Sequence, residues 1–277
     1  MLQGREILLA TMHRKEFAIK QAMEETFGCK IVVPKNYDTD QFGTFCGEKE
    51  RFMSAKKMVV HKAKVAMEQF SYELGMATEG SFGPHPLMPF AALHEELLSF
   101  VDVSNQVEIV VIKRTNKTNY AMAEFSYKQS FDDFLSTYLF PSHAIIVREM
   151  ATNQVIAKGI QTRTDLEMAV EKAFKISKKI RLETDMRAMF NPTRMQIIQD
   201  LTLDLIKRIQ SICAKCNTYG FGEMQVAGNL PCSSCHSDTQ LFKNIIEKCI
   251  RCDYQVIKPR ADNLYQADPS YCHYCNP

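Results

Sequence analysis

Eight of the ten cysteines stand in four Cys-x-x-Cys pairs: Cys213/Cys216, Cys232/Cys235, Cys249/Cys252 and Cys272/Cys275. All lie in the last quarter of a 277-residue chain. A Cys-x-x-Cys turn aims two sulfurs at one metal ion, and two such turns complete a tetrahedral four-thiolate zinc site. Eight ligands therefore predict two zinc ions. The simplest scheme joins the first pair to the second and the third to the fourth. An interleaved scheme, first with third and second with fourth, is the alternative. Four thiolates leave no open position for water or substrate, so the zinc is expected to be structural. His236 and His273 lie beside ligands and read as bystanders or as donors to the sulfurs. Cys29 and Cys46 stand alone and read as small buried hydrophobes.

The intervals between pairs, 15, 13 and 19 residues, suit ribbon hairpins. Asn217, Gly220, Gly222 and Gly228 supply turn residues for the first of them. A segment this short, with few large apolar side chains, depends on metal to fold. From Cys213 to Pro277 six Lys/Arg face six Asp/Glu. Each four-thiolate zinc centre adds a formal −2, so the module comes out near −4. Nucleic-acid affinity rests on phosphate neutralisation, so the module is expected to dock a protein or stabilise its own chain, not to bind nucleic acid.

Three segments of the first half carry other chemistry. Thr11-Met12-His13-Arg14-Lys15 lies where a strand ends and a helix opens, a setting whose backbone N–H groups suit phosphate. Gly47-Glu48-Lys49-Glu50-Arg51 precedes a helix with His61-Lys62-Ala63-Lys64-Val65-Ala66. Its carboxylates are candidates for Mg²⁺, and Lys62 for a phosphate. Glu79-Gly80-Ser81-Phe82-Gly83, with His85, places a carboxylate at a strand end where glycine leaves room for a metal or a water. Arg187 and Arg194 are candidates to neutralise phosphate from the far side.

The elements that must position these groups alternate at first. Strands are predicted at Glu6 to Thr11 and Lys30 to Pro34, around a helix from Lys15 to Phe27 with Ile19, Met23 and Phe27 on one face. Gly28 stands at that helix's C-terminal position. Asn36 to Glu50 reads as a long polar loop. Ser54 is read as the N-cap of a helix reaching Tyr72, followed by a short strand from Gly75 to Thr78. Further strands are predicted at Val107 to Lys113, Tyr120 to Phe125, His143 to Arg148 and Gln154 to Lys158, then a helix from Thr164 to Lys179. The basic stretch Lys172 to Arg181 reads as a solvated helix face. Asn191-Pro192-Thr193 starts a helix that runs straight into Cys213. The expected fold is an α/β domain with a mixed sheet over residues 1–211, ending in the connecting helix 191–211, then a double zinc ribbon over 212–277.

The net charge of +2 and charged content of 24% point by themselves to neither nucleic acid nor membrane. No stretch approaches the ~18 apolar residues of a membrane helix, and the N-terminal apolar segment is too short for a signal peptide. A cytoplasmic protein is expected.

The first ~90 residues resemble the house-cleaning nucleotide pyrophosphatases, the Maf and inosine-triphosphatase-like group. There a strand ends in a Ser/Thr-x-Asn turn followed by lysine, a Glu precedes a helix with Lys-Ala-x-x-Ala, and an acidic residue with glycine follows the next strand. Thr11-x-His13 with Lys15, Glu48 or Glu50, Lys62-Ala63-x-x-Ala66 and Glu79-Gly80 stand in those places. His13 replaces the usual Asn, and the lysine comes one position early. Asp185-Met186-Arg187-Ala188 echoes the group's Arg-x-x-Ala element. Over nearly its full length the chain is similar to a bacterial family filed only as a domain of unknown function. Its marks are Ala77 to Pro86, Asp185 to Arg194, and Asp268-Pro269 ahead of Cys272 to Pro277. The resemblance to the pyrophosphatases implies Mg²⁺-dependent hydrolysis of a nucleotide or related phosphate ester. Thr11, His13, Lys15, Arg187 and Arg194 would contact phosphate, and Glu79, Glu50 and Lys62 would do the chemistry. The alternatives are a non-enzymatic scaffold whose zinc ribbon docks a protein, and a nucleic-acid-binding protein working through Lys172 to Arg194.

Overall fold

The computed structural model describes residues 2–35, 37, 53–86, 88 and 91–277. The chain divides into two compact units, Met1–Val101 with Val110–Asp204, and Asp102–Ile109 with Leu205–Pro277. It is a mixed α/β protein with three sheets and, among the described residues, five α-helices.

The first sheet has strand order β2-β1-β3-β4-β5. Its strands are β1 (Glu6–Ala10), β2 (Lys30–Val32), β3 (Leu74–Pro84), β4 (Ala92–Asp102) and β5 (Val107–Thr115). β1 pairs in parallel with β2 on one side and β3 on the other, Ala10 level with Ala77. A four-residue link makes β4 and β5 a hairpin, so the sheet is mixed. α1 (Glu16–Phe27) connects β1 to β2 and buries Ala18, Ile19 and Met23. Gly28 ends it at φ 60, in the left-handed region that glycine adopts without penalty. α2 (Ala55–Phe70) turns Met58, Val59, Ala63, Ala66 and Met67 inward. They pack with Leu8, Ala10, Ala77, Leu97 and Val101 of the sheet. Ser54 stands at the N-cap, but its hydroxyl makes no capping bond.

The second sheet has order β6-β9-β7-β8, all antiparallel. Its strands are β6 (Met122–Ser126), β7 (Ile145–Glu149), β8 (Val155–Ile160) and β9 (Lys179–Thr184). α3 (Asp132–Thr137) and α4 (Arg163–Phe174) complete this part. α4 starts at Thr162, whose hydroxyl accepts from the N–H of Asp165. Leu166, Ala169, Val170 and Ala173 then pack on Ile145, Val147, Ile180 and Leu182.

Three sequence expectations need correction here. The strand expected to end at Thr78 continues to Pro84, so Glu79 lies inside β3 and not at a strand end. β4 was not anticipated. The helix expected to run from Thr164 to Lys179 stops at Phe174, and Lys179 opens β9. β9 sits between β6 and β7, with Ile180, Leu182 and Thr184 buried beneath a charged outer row. Paired neighbours on both sides outweigh the helical propensity of its basic residues.

α5 (Pro192–Gln210) begins as expected: Asn191 Oδ1 accepts from the N–H of Arg194 at 2.9 Å. In the second unit β10 (Glu223–Pro231), β11 (Asp238–Lys248) and β12 (Gln255–Pro259) form an antiparallel sheet. Gly228 lies inside β10 rather than in a turn.

Candidate functional sites

The eight paired cysteines gather into two clusters, Cys213/Cys216 with Cys249/Cys252 and Cys232/Cys235 with Cys272/Cys275. This is the interleaved arrangement, and it replaces the simplest scheme. The antiparallel hairpin dictates it. The register sets Glu223 opposite Lys248 and Pro231 opposite Asp238. The first knuckle, just before β10, and the third, just after β11, therefore meet at one end of the sheet. The second, in the β10–β11 turn, lies at the other end, along a strand of nine residues or roughly 27 Å. The fourth reaches the second through a parallel bridge of Cys232 to Ala267.

Neighbouring sulfurs lie 3.7 and 3.6 Å apart in the first cluster and 3.8 and 3.5 Å apart in the second. A tetrahedral ion with Zn–S bonds near 2.3 Å needs edges of ~3.8 Å. Disulfides need about 2.05 Å. The donor set thus fits zinc, two ions held by four thiolates each. Backbone N–H groups point at the sulfurs: Ser234 to Cys232 at 3.4 Å, Arg251 and Cys252 to Cys249 at 3.3 and 3.4 Å. Such bonds offset thiolate charge. His236 adopts φ 62 and Asn217 φ 56, each directly after the second cysteine of its pair. His236 is a turn residue; the sulfur sets are complete without it or His273.

A second constellation forms in the first unit. In a sheet ordered β2-β1-β3, the connection from β1 leaves to one side and the chain returns to β3 on the other. Ligands in such sheets bind beyond the carboxyl ends of the strands at this reversal. Lys15, one residue before α1, donates to Thr78 Oγ1 on β3 at 2.7 Å. Lys62 of α2 reaches Glu79 Oε2 at 2.5 Å. Glu96 of β4 is fully buried. Arg194, on the first turn of α5, grips it with Nε and Nη2 at 2.9 and 3.0 Å, and its Nη1 donates to the Met186 carbonyl. His94, two residues away on the same face of β4, donates to Glu96 Oε2 at 2.9 Å. Lys15 lies 3.7 Å from Glu96 Oε1.

Packing fixes this geometry. Phe82 stacks on His94 with centroids 4.2 Å apart, and the Arg194 guanidinium lies 5.2 Å over the same ring. Gly80 makes the crossing feasible. A Cβ there would come within 2.5 Å of both Arg194 Nη2 and Glu96 Oε2. Burial pushes the Glu96 carboxyl up, but Arg194, Lys15 and His94 outweigh it and hold it at about 2. Burial, with Arg194 beside it, brings the Lys15 ammonium down to about 7, against the pull of Glu96.

Five of the expected site residues therefore meet at the β1/β3 reversal or beside it: Thr11, Lys15, Lys62, Glu79 and Arg194 are all buried there. Thr11 Oγ1 is turned to the Met12 carbonyl. His13 forms the turn after β1 at φ 63. Arg187 is held away from the group, donating to Asp185 through Nε and Nη2 and lying 4.6 Å over Phe190. His85 accepts from the Met88 N–H in a local turn. Glu48, Glu50 and Cys46 lie outside the described residues. Cys29 is buried, as a small hydrophobe would be. His94 and Glu96 were missed. A His-x-Glu step within Ala92 to Asp102 was the available signal, one that puts both side chains on one face of a strand. Two hollows of about 680 and 400 Å³ among the described residues, lined by Ser136, Leu139 to Ser142 and Gln161 and by Tyr127 to Asp132 with α4, hold none of these residues.

The basic stretch before the zinc module is largely paired. Lys175 meets Glu171, Lys179 and Arg181 meet Glu124, Arg187 meets Asp185, and Arg194 meets Glu96. Among the described residues no helix is long and apolar enough to cross a membrane.

Residues 62–277 match the model of a family described as a domain of unknown function, DUF6671, and the chain belongs to that family. No curated protein matches it.

Proposed function

We propose that the first unit binds a nucleotide or related phosphate ester beyond the carboxyl end of β1, beside Thr78 and Glu79 of β3, and hydrolyses it, and that the two zinc ions are structural. One observation carries this reading: Lys15, Lys62 and Arg194, from three separate elements, converge with Glu79 and Glu96 where a sheet of this order receives its ligand. Burying five ionisable groups together costs stability that an apolar core would not, and such clusters concentrate at functional sites. Phosphate is the anion that lysine and arginine groups at this spacing suit. Glu96 is gripped by Arg194 and bonded to His94, and Glu79, beside Lys62, is the carboxylate assigned to orient a water. Among the described residues Glu79 is the carboxylate that would hold magnesium, which would supply charge neutralisation at the phosphate.

The test is release of phosphate or pyrophosphate from a panel of standard and deaminated nucleoside triphosphates, with Mg²⁺ or Mn²⁺, beside Glu79→Gln. Turnover that the substitution abolishes supports the reading. No turnover on any member, from protein with zinc and fold intact, removes it. The scaffold alternative is favoured by exposed Tyr271 and Tyr274 around Cys272 and Cys275, which suit a protein contact. The nucleic-acid alternative has little behind it, because the Lys172 to Arg194 cations named above already face carboxylates.

A further inference from the structure

We propose that the cluster takes up one proton together with a dianionic phosphoryl group, and that Lys15 is the residue that carries it. This inference rests on the phosphate-binding reading above and adds which cation answers the ligand.

The three cations of the cluster are held differently. Lys62 is in contact with Glu79, and Arg194 grips Glu96 through a two-pronged fork. Moving either to a ligand strands a buried carboxylate. Lys15 has no such tie. Among the described residues its one close bond is to the Thr78 hydroxyl at 2.7 Å, and the nearest carboxylate oxygen, on Glu96, is 3.7 Å away and on a carboxylate that already serves Arg194. An ammonium has three N–H groups to place, so Lys15 retains donor capacity that a phosphoryl oxygen can use.

Its surroundings also set its charge. Among the described residues the groups acting on it are Thr78 and Glu79 from β3, Glu96 from β4, with His94 on the far oxygen of that carboxylate, Lys62 from α2 and Arg194 from α5. Two cations sit beside it in a buried site, and two carboxylates offset them. Burial and Arg194 bring the amine down to about 7, so above neutral pH it is largely uncharged while the site is empty. A dianion placed against it reverses that balance, and the amine binds a proton as the ligand arrives. A monoanion offers half the driving charge, so the device favours phosphate monoesters and terminal phosphates over carboxylates.

The experiment is titration calorimetry of the zinc-loaded full chain with inorganic phosphate at pH 8, in buffers of different ionisation enthalpy. With the amine at about 7 in the free protein it takes up about 0.9 proton at pH 8, while phosphate, still partly monoanionic there, gives up about 0.1, so a net uptake of about 0.8 proton per phosphate is expected. Above about pH 8, where phosphate is almost wholly dianionic, the apparent affinity should fall by about tenfold per unit. Lys15→Arg, charged throughout, should bind phosphate with no uptake. Lys15→Met should bind more weakly and also show none. Binding to the unsubstituted protein without uptake, or uptake that survives Lys15→Arg, overturns the inference and leaves the phosphate reading standing. No phosphate binding by the unsubstituted protein overturns both.

Discussion

Gly80→Ala is a test of the buried cluster that needs no ligand. Gly80 lies in β3 where the Arg194–Glu96 fork passes. An added Cβ would stand 2.5 Å from Arg194 Nη2 and 2.5 Å from Glu96 Oε2, inside the van der Waals distance of both. Neither atom has room to yield, because Arg194 and Glu96 are 1% and 0% exposed. Overpacking alone costs about 1–3 kcal/mol, and losing the fork leaves charges without partners at about 3–5 kcal/mol. A loss of about 3 kcal/mol is expected, or roughly 6–12 °C in melting temperature for a unit of this size. Gly83→Ala is the control. It lies three residues along the same strand, and a Cβ there meets nothing within 4 Å among the described residues. It should change stability by less than about 0.5 kcal/mol. Thermal and urea unfolding of both variants measure the difference. If Gly80→Ala melts within about 1 °C of Gly83→Ala, the fork does not cross β3 as described and the cluster argument fails with it.

The interleaved zinc arrangement makes a counting prediction. Under native mass spectrometry Cys213→Ser and Cys249→Ser should each retain one zinc, and so should the double variant, because both cysteines serve one ion. Sequential pairing would leave the double variant with none. Asn191→Ala removes the cap on Arg194 and the partner of Asn119 Oδ1. About 2–3 kcal/mol of stability should go with it, measured by urea unfolding. His143 accepts from the Thr193 N–H at Nε2, and burial lowers its pKa below the ordinary 6.5. The folded state therefore holds it neutral. Its contribution is present above pH 6.5 and is lost as pH falls from there towards the lower folded value. His143→Gln should flatten the fall in melting temperature across that window; an unchanged slope would remove His143 as its source.

The parts legible in the sequence share a physical reason. A Cys-x-x-Cys pair makes its knuckle from four consecutive residues, so the zinc ligands could be named from spacing alone. The same locality holds for Asn191-Pro192-Thr193 as a helix start and Gly28 as a helix end. Which knuckles meet is a property of the β10–β11 register, and spacing carries little of that. The turn residues Gly220 and Gly222 were legible as turn formers, whereas Gly228 falls inside β10. Nothing in its immediate neighbours distinguishes that position.

The buried cluster divides along the same line. Lys15 was visible as a charged residue at the start of a helix, and Lys62 and Glu79 through the short local patterns Lys62-Ala63-x-x-Ala66 and Glu79-Gly80, although each lies in the middle of its element. Glu96 and His94 were hidden by their own strand. From Glu96 to Asp102 every residue of β4 is buried, so hydrophobic and polar residues do not alternate there. A strand enclosed on both faces loses the period-2 pattern by which strands are read. The sequence His94-Glu95-Glu96 looks like solvated charge until the fold supplies Arg194, 98 positions away, as the partner. Arg187 shows the converse. It belongs to the same Asp185 to Arg194 motif as Arg194 and looks equally suited to an anion, yet Asp185, two residues away, occupies its guanidinium. An arginine's availability depends on where the nearest carboxylate is placed. For Arg187 that partner was local and overlooked; for Arg194 it was distant and could not have been foreseen. The candidate site is therefore defined by long-range pairings to Glu96, and substitutions on β4 are better tests of it than further changes to the residues the sequence already advertised.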